Sequence, residues 1–454
     1  MLPLIFEFSF YVINMKQIRL LFITAFMACC TAVFGQDTTL ADMLTETYEG
    51  KADTLTECLI KRFMYTRRGY FYAVPVDRPD RANQTEFIYW QQAHAMDVLV
   101  YSYERIKDSN PTLAQTYEGY FNQWFANHAN NWYKDENDET GFHNEFTDDM
   151  CWIALTMIHI TEATGDEKYI EMAKTLFDTY IEPLGYSDDE GYWGLPWKLD
   201  NADRNACTNA PWCLLAAKLY KYTGEQHYLN VAEKIFSFWQ HVMQTKLSND
   251  GRVEEPPLTY TQGTFGEACR QLYGITGKST YMTMAQKVIN YACTSNRCVD
   301  NGILRHEGTS MDQSIFKAVL IPYAVNLVLD EACRERYRKS ILQFLAKNAD
   351  TLWENLNLAA YPKIYCNYYW AEPFDESTVA SMGAMVSGAS LMENVARMAL
   401  ALKNPTAING ITTSTSDNGK VYDLNGHIVA SDATRLHMLR PGIYIVGGRK
   451  TVVK

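Results

Sequence analysis

The sequence predicts an all-α fold, an (α/α)6 toroid built of helical hairpins, followed by a small C-terminal β module. Three observations carry that expectation. A helix–glycine–helix unit recurs at similar intervals, the segments joining successive units are long, and the composition changes abruptly after residue 403. The chain has 454 residues, 47% of them hydrophobic, enough for one large core and a small appendage.

In chain order, residues 1–35 read as an export signal. Lys16 and Arg19 precede the apolar run 20–28, small residues follow, and cleavage after Gly35 leaves a mature chain beginning at Gln36. Acylation at Cys29 or Cys30 is the alternative use of this leader. No later stretch suits a membrane span, so the protein is expected to be exported to the periplasm, the cell surface or the medium. Without the two leader cysteines, nine of 11 remain, and an odd number leaves at least one thiol unpaired in a monomer, the expected state. Cys293 and Cys298 bracket a short loop-like segment and could bridge. Cys151, Cys207, Cys213 and Cys269 lie in apolar helical contexts and read as small buried hydrophobes.

The repeat occupies the middle of the chain. Thr164-Gly165, Thr223-Gly224 and Thr276-Gly277 are spaced 59 and 53 residues apart, and each is followed by Tyr and Ala at the same offsets: Tyr169 and Ala173, Tyr228 and Ala232, Tyr281 and Ala285. Helix-period apolar stretches flank each glycine, which predicts a hairpin whose first helix ends on a left-handed glycine. Weaker hairpins are expected at 89–127 and 315–345, with a last helix at 387–402. About six hairpins fit, the number that closes a ring. The long connections 185–205 and 246–260 are expected to build a site at one end of it.

Residues 36–403 thus form the helical domain and 404–420, rich in Thr, Ser, Asn, Asp and Gly, a linker. Residues 421–454 read as short strands at 421–424, 428–429, 442–446 and 451–453, with a turn at Asn425-Gly426. The words VYDLNG, LRPGIYIV and KTVVK resemble the C-terminal sorting domain of the type IX (Por) secretion system of Bacteroidetes.

Charge narrows the function. The chain carries 41 Lys+Arg against 53 Asp+Glu, −12 overall without long like-charge runs, which argues against nucleic acid as a partner. No Cys/His spacing suits a metal, and His94, His143 and His159 form no ligand set. Aromatic residues make up 13%, including 10 Trp and 30 Tyr; such rings serve sugar faces as well as cores.

Asp148 and Asp149 stand at the start of a core helix, in Phe146-Thr147-Asp148-Asp149-Met150-Cys151-Trp152. On position alone Asp148 reads as a helix cap with Asp149 in the first turn. The surrounding words say more. DDMCWIAL, TGDEKYIEMAKTLFD, RNACTNAPWCLLAAKLYKYTGEQHYL, Tyr260-Thr261-Gln262-Gly263 leading into LYGITG, and Phe316-Lys317 resemble glycoside hydrolase family 76, the endo-α-1,6-mannanases, in order and spacing from about residue 85 to 400. The resemblance implies a retaining hydrolase on an (α/α)6 fold, with Asp148 as nucleophile and Asp149 as general acid/base, acting without a cofactor on α-mannan or manno-oligosaccharides. Thr147, Ile153 and Thr261 depart from the family's pattern, and they lie where sugar subsites are expected.

Candidate sugar contacts are Trp90 at the first barrel helix, Trp152 beyond the acid pair, Trp193 and Trp197 in a glycine-rich connection, Asn205 and Asn209 around Cys207, and Tyr260 and Gln262 heading another core helix. Each also has a plainer reading, as a core ring or a helix cap. Glu145 and Asp97 read as caps, surface residues or supporting acids, and Asp312, ahead of Phe316-Lys317, is a candidate to face the cleft; none of the three is assigned to catalysis. The competing functions are an unsaturated-uronyl hydrolase or sugar epimerase on the same toroid, or a non-catalytic glycan-binding protein. The first would ask for a basic subsite and the second for flanking histidines; the motifs supply neither.

Overall fold

The computed structural model describes residues 39–44, 46–78, 88–127, 135–241, 248–403, 421–422, 428–430, 442–446 and 449–453. The expected signal (1–35), linker (404–420) and Asn425-Gly426 turn lie outside the described residues. The chain divides into an N-terminal unit, 1–45, with one described 3-10 turn (Ala41–Met43), and a second unit, 46–454, which holds all the other elements.

Twelve α-helices are described: α1 (Glu49–Phe63), α2 (Tyr89–Ile106), α3 (Pro111–Ala126), α4 (Thr147–Thr164), α5 (Lys168–Leu176), α6 (Ala206–Thr223), α7 (Gln226–His241), α8 (Thr259–Thr276), α9 (Ser279–Thr294), α10 (Met311–Leu329), α11 (Glu335–Glu354) and α12 (Met382–Lys403). The even-numbered helices pack in succession, α2 on α4, then α6, α8, α10 and α12, and α12 returns to α2. That closes an inner ring. Each odd-numbered helix lies outside a partner: α3 on α2, α5 on α4, α7 on α6, α9 on α8, α11 on α10, and α1 on α12. The architecture is the (α/α)6 toroid.

Burial follows the two rings. In α4 only Glu162 is exposed, whereas α7 buries the helix-period stripe Tyr228, Val231, Ala232, Ile235, Phe238 and Trp239 and leaves its other face in water. The three glycines end α4, α6 and α8 as expected, with φ of 78°, 73° and 70° and N–H groups bonded 2.8 Å from the carbonyls of Thr161, Tyr220 and Tyr273. An added Cβ would meet nothing within 4 Å at any of them, so backbone handedness, not space, selects glycine there. Tyr169, Tyr228 and Tyr281 are buried at the start of the returning helices, and Ala173, Ala232 and Ala285 are fully buried where the paired helices meet.

The sequence reading lacked α1. Its partner α12 lies at the other end of the chain, so no local repeat signals the sixth hairpin. The seam is tied by Glu393 of α12, fully buried, which accepts from Thr56 Oγ1 of α1 (2.6 Å) and from Arg105 of α2 (Nε 2.8 Å, Nη2 3.0 Å).

Buried side-chain amides hold the long connections. Gln92 pairs with both backbone groups of Phe71 (2.8 and 2.8 Å), and Asn209 with both of Leu195 (2.8 and 3.0 Å). Gln262 binds Val253 N–H (2.6 Å) and Gly251 C=O (3.0 Å), and Asn348 binds Leu304 N–H (2.9 Å) and Gly302 C=O (3.0 Å). Four connections are thus fixed by one device, an amide standing in for a neighbouring strand.

Two-residue antiparallel pairs decorate the connections: β1 (Met64–Tyr65) with β2 (Tyr70–Phe71), β3 (Tyr186–Ser187) with β4 (Trp193–Gly194), and β5 (Val299–Asp300) with β6 (Ile303–Leu304). The C-terminal strands β7 (Val421–Tyr422), β8 (Ile428–Ala430), β9 (Gly442–Val446) and β10 (Arg449–Val453) form an antiparallel sheet in the order β10-β9-β7-β8. All nine described cysteines are free thiols. Cys293 and Cys298, whose spacing left a bridge open, are both buried and packed as small apolar groups. Among the described residues no helix is long and apolar enough to cross a membrane.

Candidate active site

Because the inner helices are joined through antiparallel outer ones, all six start at the same end of the ring. First-turn residues meet there: Trp90 of α2, Asp148 and Asp149 of α4, Cys207 of α6, Tyr260 of α8 and Asp312 of α10. The opposite end, where the helix carbonyls point, holds acids that are paired with cations, Glu162 with Lys218, and Glu267 and Asp330 with Arg270.

The acid pair is held by the 185–205 connection, which runs beside the start of α4. The Thr147 N–H bonds to Trp197 O (3.0 Å), the Leu199 N–H bonds to Glu145 O (3.0 Å), and Phe146 bridges to Lys198. Asp148 is 8% exposed. Its Oδ1 accepts from the Asp149 backbone N–H (3.0 Å), its carboxylate also accepts from the Trp197 indole, and Cys207 Sγ lies 4.0 Å from Oδ2. Asp149 is half-buried, and its carboxyl makes no hydrogen bond among the described residues.

Burial pushes the Asp148 carboxyl up to about 7, with Asp312 adding to the rise, while the backbone N–H groups of Asp148 and Asp149 and the Trp197 indole pull the other way. Burial also carries Asp149 well above the ordinary carboxylate range, reinforced by Asp148, Asp312 and Glu145, with no bond opposing. A helix N-terminus favours a carboxylate by roughly 0.3–1 kcal/mol, less than one pKa step. Desolvation can move a buried group by roughly 3–5 steps, and it wins at both residues. The pair therefore differs in kind: Asp148 has donors that favour its ionised form, and Asp149 has only neighbours that keep its proton on.

Rings line the mouth. Tyr260 stacks on Phe316 at 4.1 Å and 18°, and Trp90 stands 6.2 Å from Phe316, 6.3 Å from Tyr260 and 6.2 Å from Trp152. Among the described residues no group of three His, Cys, Asp or Glu side chains is arranged to hold a metal ion.

The model of Glycosyl hydrolase family 76 matches residues 47–406. The chain belongs to that family. It is therefore a glycoside hydrolase by lineage, and solved structures share the fold. An inactive variant of the α-1,6-mannanase GH76A of Salegentibacter sp. HEL1_6, with two consecutive aspartates replaced by alanine and α-1,6-mannotetrose bound, is 23% identical with a TM-score of 0.65, over 78% of this chain and all of that one. The Lin0763 protein from Listeria innocua is 24% identical (TM-score 0.67; 78% and 98% covered). The family 76 mannosidase Bt3792 from Bacteroides thetaiotaomicron is 17% identical (TM-score 0.60; 79% and 99% covered). No curated protein matches the chain significantly.

Within this family 76 hydrolase the sequence candidates separate. Trp90, Trp197 and Tyr260 are half-buried at the mouth. Trp152 is 2% exposed and lies under Trp90 and Tyr260, a floor for the mouth rather than an open platform. Asn205 caps α6 through the Thr208 N–H (3.0 Å) and accepts from the Cys207 thiol (3.0 Å). Two candidates are corrected: Asn209 and Gln262 are fully buried, with both ends of each amide bonded to connection backbone, so neither is free to meet a sugar. Trp193 is not brought to the acid pair; it packs on Trp212 at 4.5 Å, beneath Lys234 of α7.

The sequence reading undervalued Cys207 and Phe316, and pointed Asp312 towards the cleft. Cys207, read as a buried hydrophobe, is half-buried beside Asp148 and hydrogen-bonded with Tyr260. Phe316 supplies the other half of the Tyr260 stack. Asp312 faces the pair across the mouth. Helix-period spacing already placed Phe316 one turn beyond Asp312; nothing local told which way that turn faced. Lys317 holds connections together by donating to Leu304 O (3.2 Å) and Tyr368 O (2.6 Å) beneath Trp370.

Proposed function

We propose that this hydrolase cleaves α-1,6-mannosidic links in mannan with net retention, Asp148 acting as nucleophile and Asp149 as general acid/base. The observation that carries the reading is the asymmetry of the pair at the mouth of the ring. Asp148 accepts hydrogen bonds that favour a carboxylate, and Asp149 is surrounded by acids that favour a carboxylic acid. Neighbouring Cα atoms lie about 3.8 Å apart, which suits the short carboxyl gap of about 5–5.5 Å used in retention better than the gap of about 6.5–9.5 Å used in inversion. The Salegentibacter relative, inactive with two consecutive aspartates removed and bound to α-1,6-mannotetrose, supports both the pair and the substrate.

In the first step an Asp148 oxygen bonds to the anomeric carbon while the glycosidic oxygen departs with the Asp149 proton. In the second, Asp149 takes a proton from water, the hydroxide displaces Asp148 from the same carbon, and the sugar leaves with its α configuration restored. Trp90 and Tyr260, the latter backed by the buried Phe316, offer apolar faces to pyranose rings. A uronyl substrate fits poorly, because the charges bearing on the pair, Asp312 and Glu145, are negative. We also read residues 1–35 as an export signal, 36–403 as the hydrolase domain, and 421–454, beyond the 404–420 linker, as a sorting module, which would put the enzyme outside the cytoplasm.

The test is digestion of unbranched α-1,6-mannan, following product size and initial anomeric configuration. Retained α products, with Asp148→Asn and Asp149→Asn each lowering kcat by about 10²- to 10⁴-fold or more, are the expected result. β products would overturn retention, and full activity in either variant would overturn the residue roles.

A further inference from the structure

The wall facing the acid pair carries a third carboxylate that the two-step mechanism does not use. Asp312 lies in the first turn of α10, but Ser310 already caps that helix, accepting from the Gln313 N–H (3.2 Å), so capping does not account for it. Its contacts come from a different helix. The Trp90 indole N–H donates to Asp312 Oδ1 (2.9 Å), and the Gln91 amide donates to the same oxygen. Gln91 is fully buried, and with its nitrogen committed to Asp312 its Oε1 is left without a partner. An orphaned buried acceptor is unfavourable, and the fold carries that cost while fixing this carboxyl.

Two donors on one oxygen set the carboxyl plane and leave Oδ2 with no hydrogen bond among the described residues. Asp312 is exposed at the mouth, so that oxygen meets water, and a neutral donor that displaces the water can bond to it. A sugar hydroxyl is such a donor, and an O–H bond to an ionised acceptor is about twice as strong as one to a neutral group.

We propose that Asp312 is a substrate-positioning residue, whose Oδ2 accepts a hydrogen bond from a free hydroxyl of the pyranose lying between the Trp90–Tyr260–Phe316 wall and the acid pair. This rests on the reading of the mouth as a glycan site and adds to it the group that sets ring orientation over Asp148. Asp312→Asn is the discriminating change: the amide oxygen still accepts from Trp90 and Gln91, but the position of Oδ2 becomes a donor.

Binding separates this proposal from the reaction it serves. α-1,6-Mannotriose is titrated into the Asp148→Asn/Asp149→Asn protein with and without Asp312→Asn, and then a series of monodeoxy analogues is titrated. The added change is expected to weaken mannotriose by about 10- to 100-fold without lowering the melting temperature. One deoxy analogue is expected to bind both proteins equally, because the hydroxyl that Asp312 reads is gone. Equal affinity for mannotriose, absence of binding to either protein, or the same loss with every analogue would overturn the proposal. Loss of binding in Asp312→Asn alongside a wild type that cannot cleave α-1,6-mannan would leave the positioning role standing and remove the proposed reaction.

Discussion

At the scale of single residues, the two aspartates are adjacent in the chain but differ in their hydrogen bonds. Asp148 has the Asp149 N–H and the Trp197 indole; Asp149 has only burial and like charges. This predicts a kcat/KM profile whose acid limb lies near neutrality instead of in the ordinary carboxylate range, measurable on α-1,6-mannan between pH 4 and 9. It also predicts a trade of stability for chemistry. Both folded-state values are raised, so between about pH 4 and the raised values the folded state holds protons that the unfolded state has released, and stability falls as pH rises through that window. Asp149→Asn should therefore melt at a higher temperature than wild type at pH 8, with the difference vanishing at pH 4. A constant difference across that range would mean that the pair is not strained by ionisation.

Among the elements, the site depends on connections held by amide clamps, three from inner helices and one, Asn348, from the outer helix α11. Asn209→Ala would strand both backbone groups of Leu195 and lower stability by about 1–3 kcal/mol for each unpaired group, seen as an earlier urea midpoint. Spacing between inner helices is set as tightly. An added Cβ at Gly263 of α8 would stand 2.7 Å from Leu320 Cα of α10, so Gly263→Ala must push apart the two helices that carry the stacked Tyr260 and Phe316. We expect a loss of about 1–3 kcal/mol and weaker oligosaccharide binding. Three of the hairpins were legible in full, because each is signalled by contiguous residues: a helix-period stripe, a left-handed glycine, then Tyr and Ala. The clamps were not. Asn209 and Gln262 sit at helix starts, where a capping, a ligand-binding and a loop-holding amide look alike in sequence; only the position of Leu195 and Val253 in space distinguishes them.

Across the whole molecule, the ring closes by joining the two ends of the helical region. Glu393 accepts bonds from α1 and α2 while sitting in α12, and Glu393→Ala would leave the Arg105 guanidinium without its buried partner. Breaking such a pair costs about 3–5 kcal/mol, and the loss should appear in chemical denaturation. The tail is a different matter. Its strands pair with one another in a sheet of their own, and the chain ending at Lys403 should retain mannan hydrolysis and melting temperature; a collapse of either would make residues 404–454 part of the hydrolase fold.

The chain by itself determined the helical class, the hairpin repeat, the left-handed glycines and the adjacency of Asp148 and Asp149, because each depends on residues within a turn or two of one another. Tertiary structure alone decided that α1 completes the ring, that Trp152 is a floor and Trp193 a packing residue on Trp212, and that Phe316 and Cys207 share the mouth with the acids. Those residues come from helices far apart in sequence, and burial and electrostatic coupling fall off with distance in space, which local patterns do not encode.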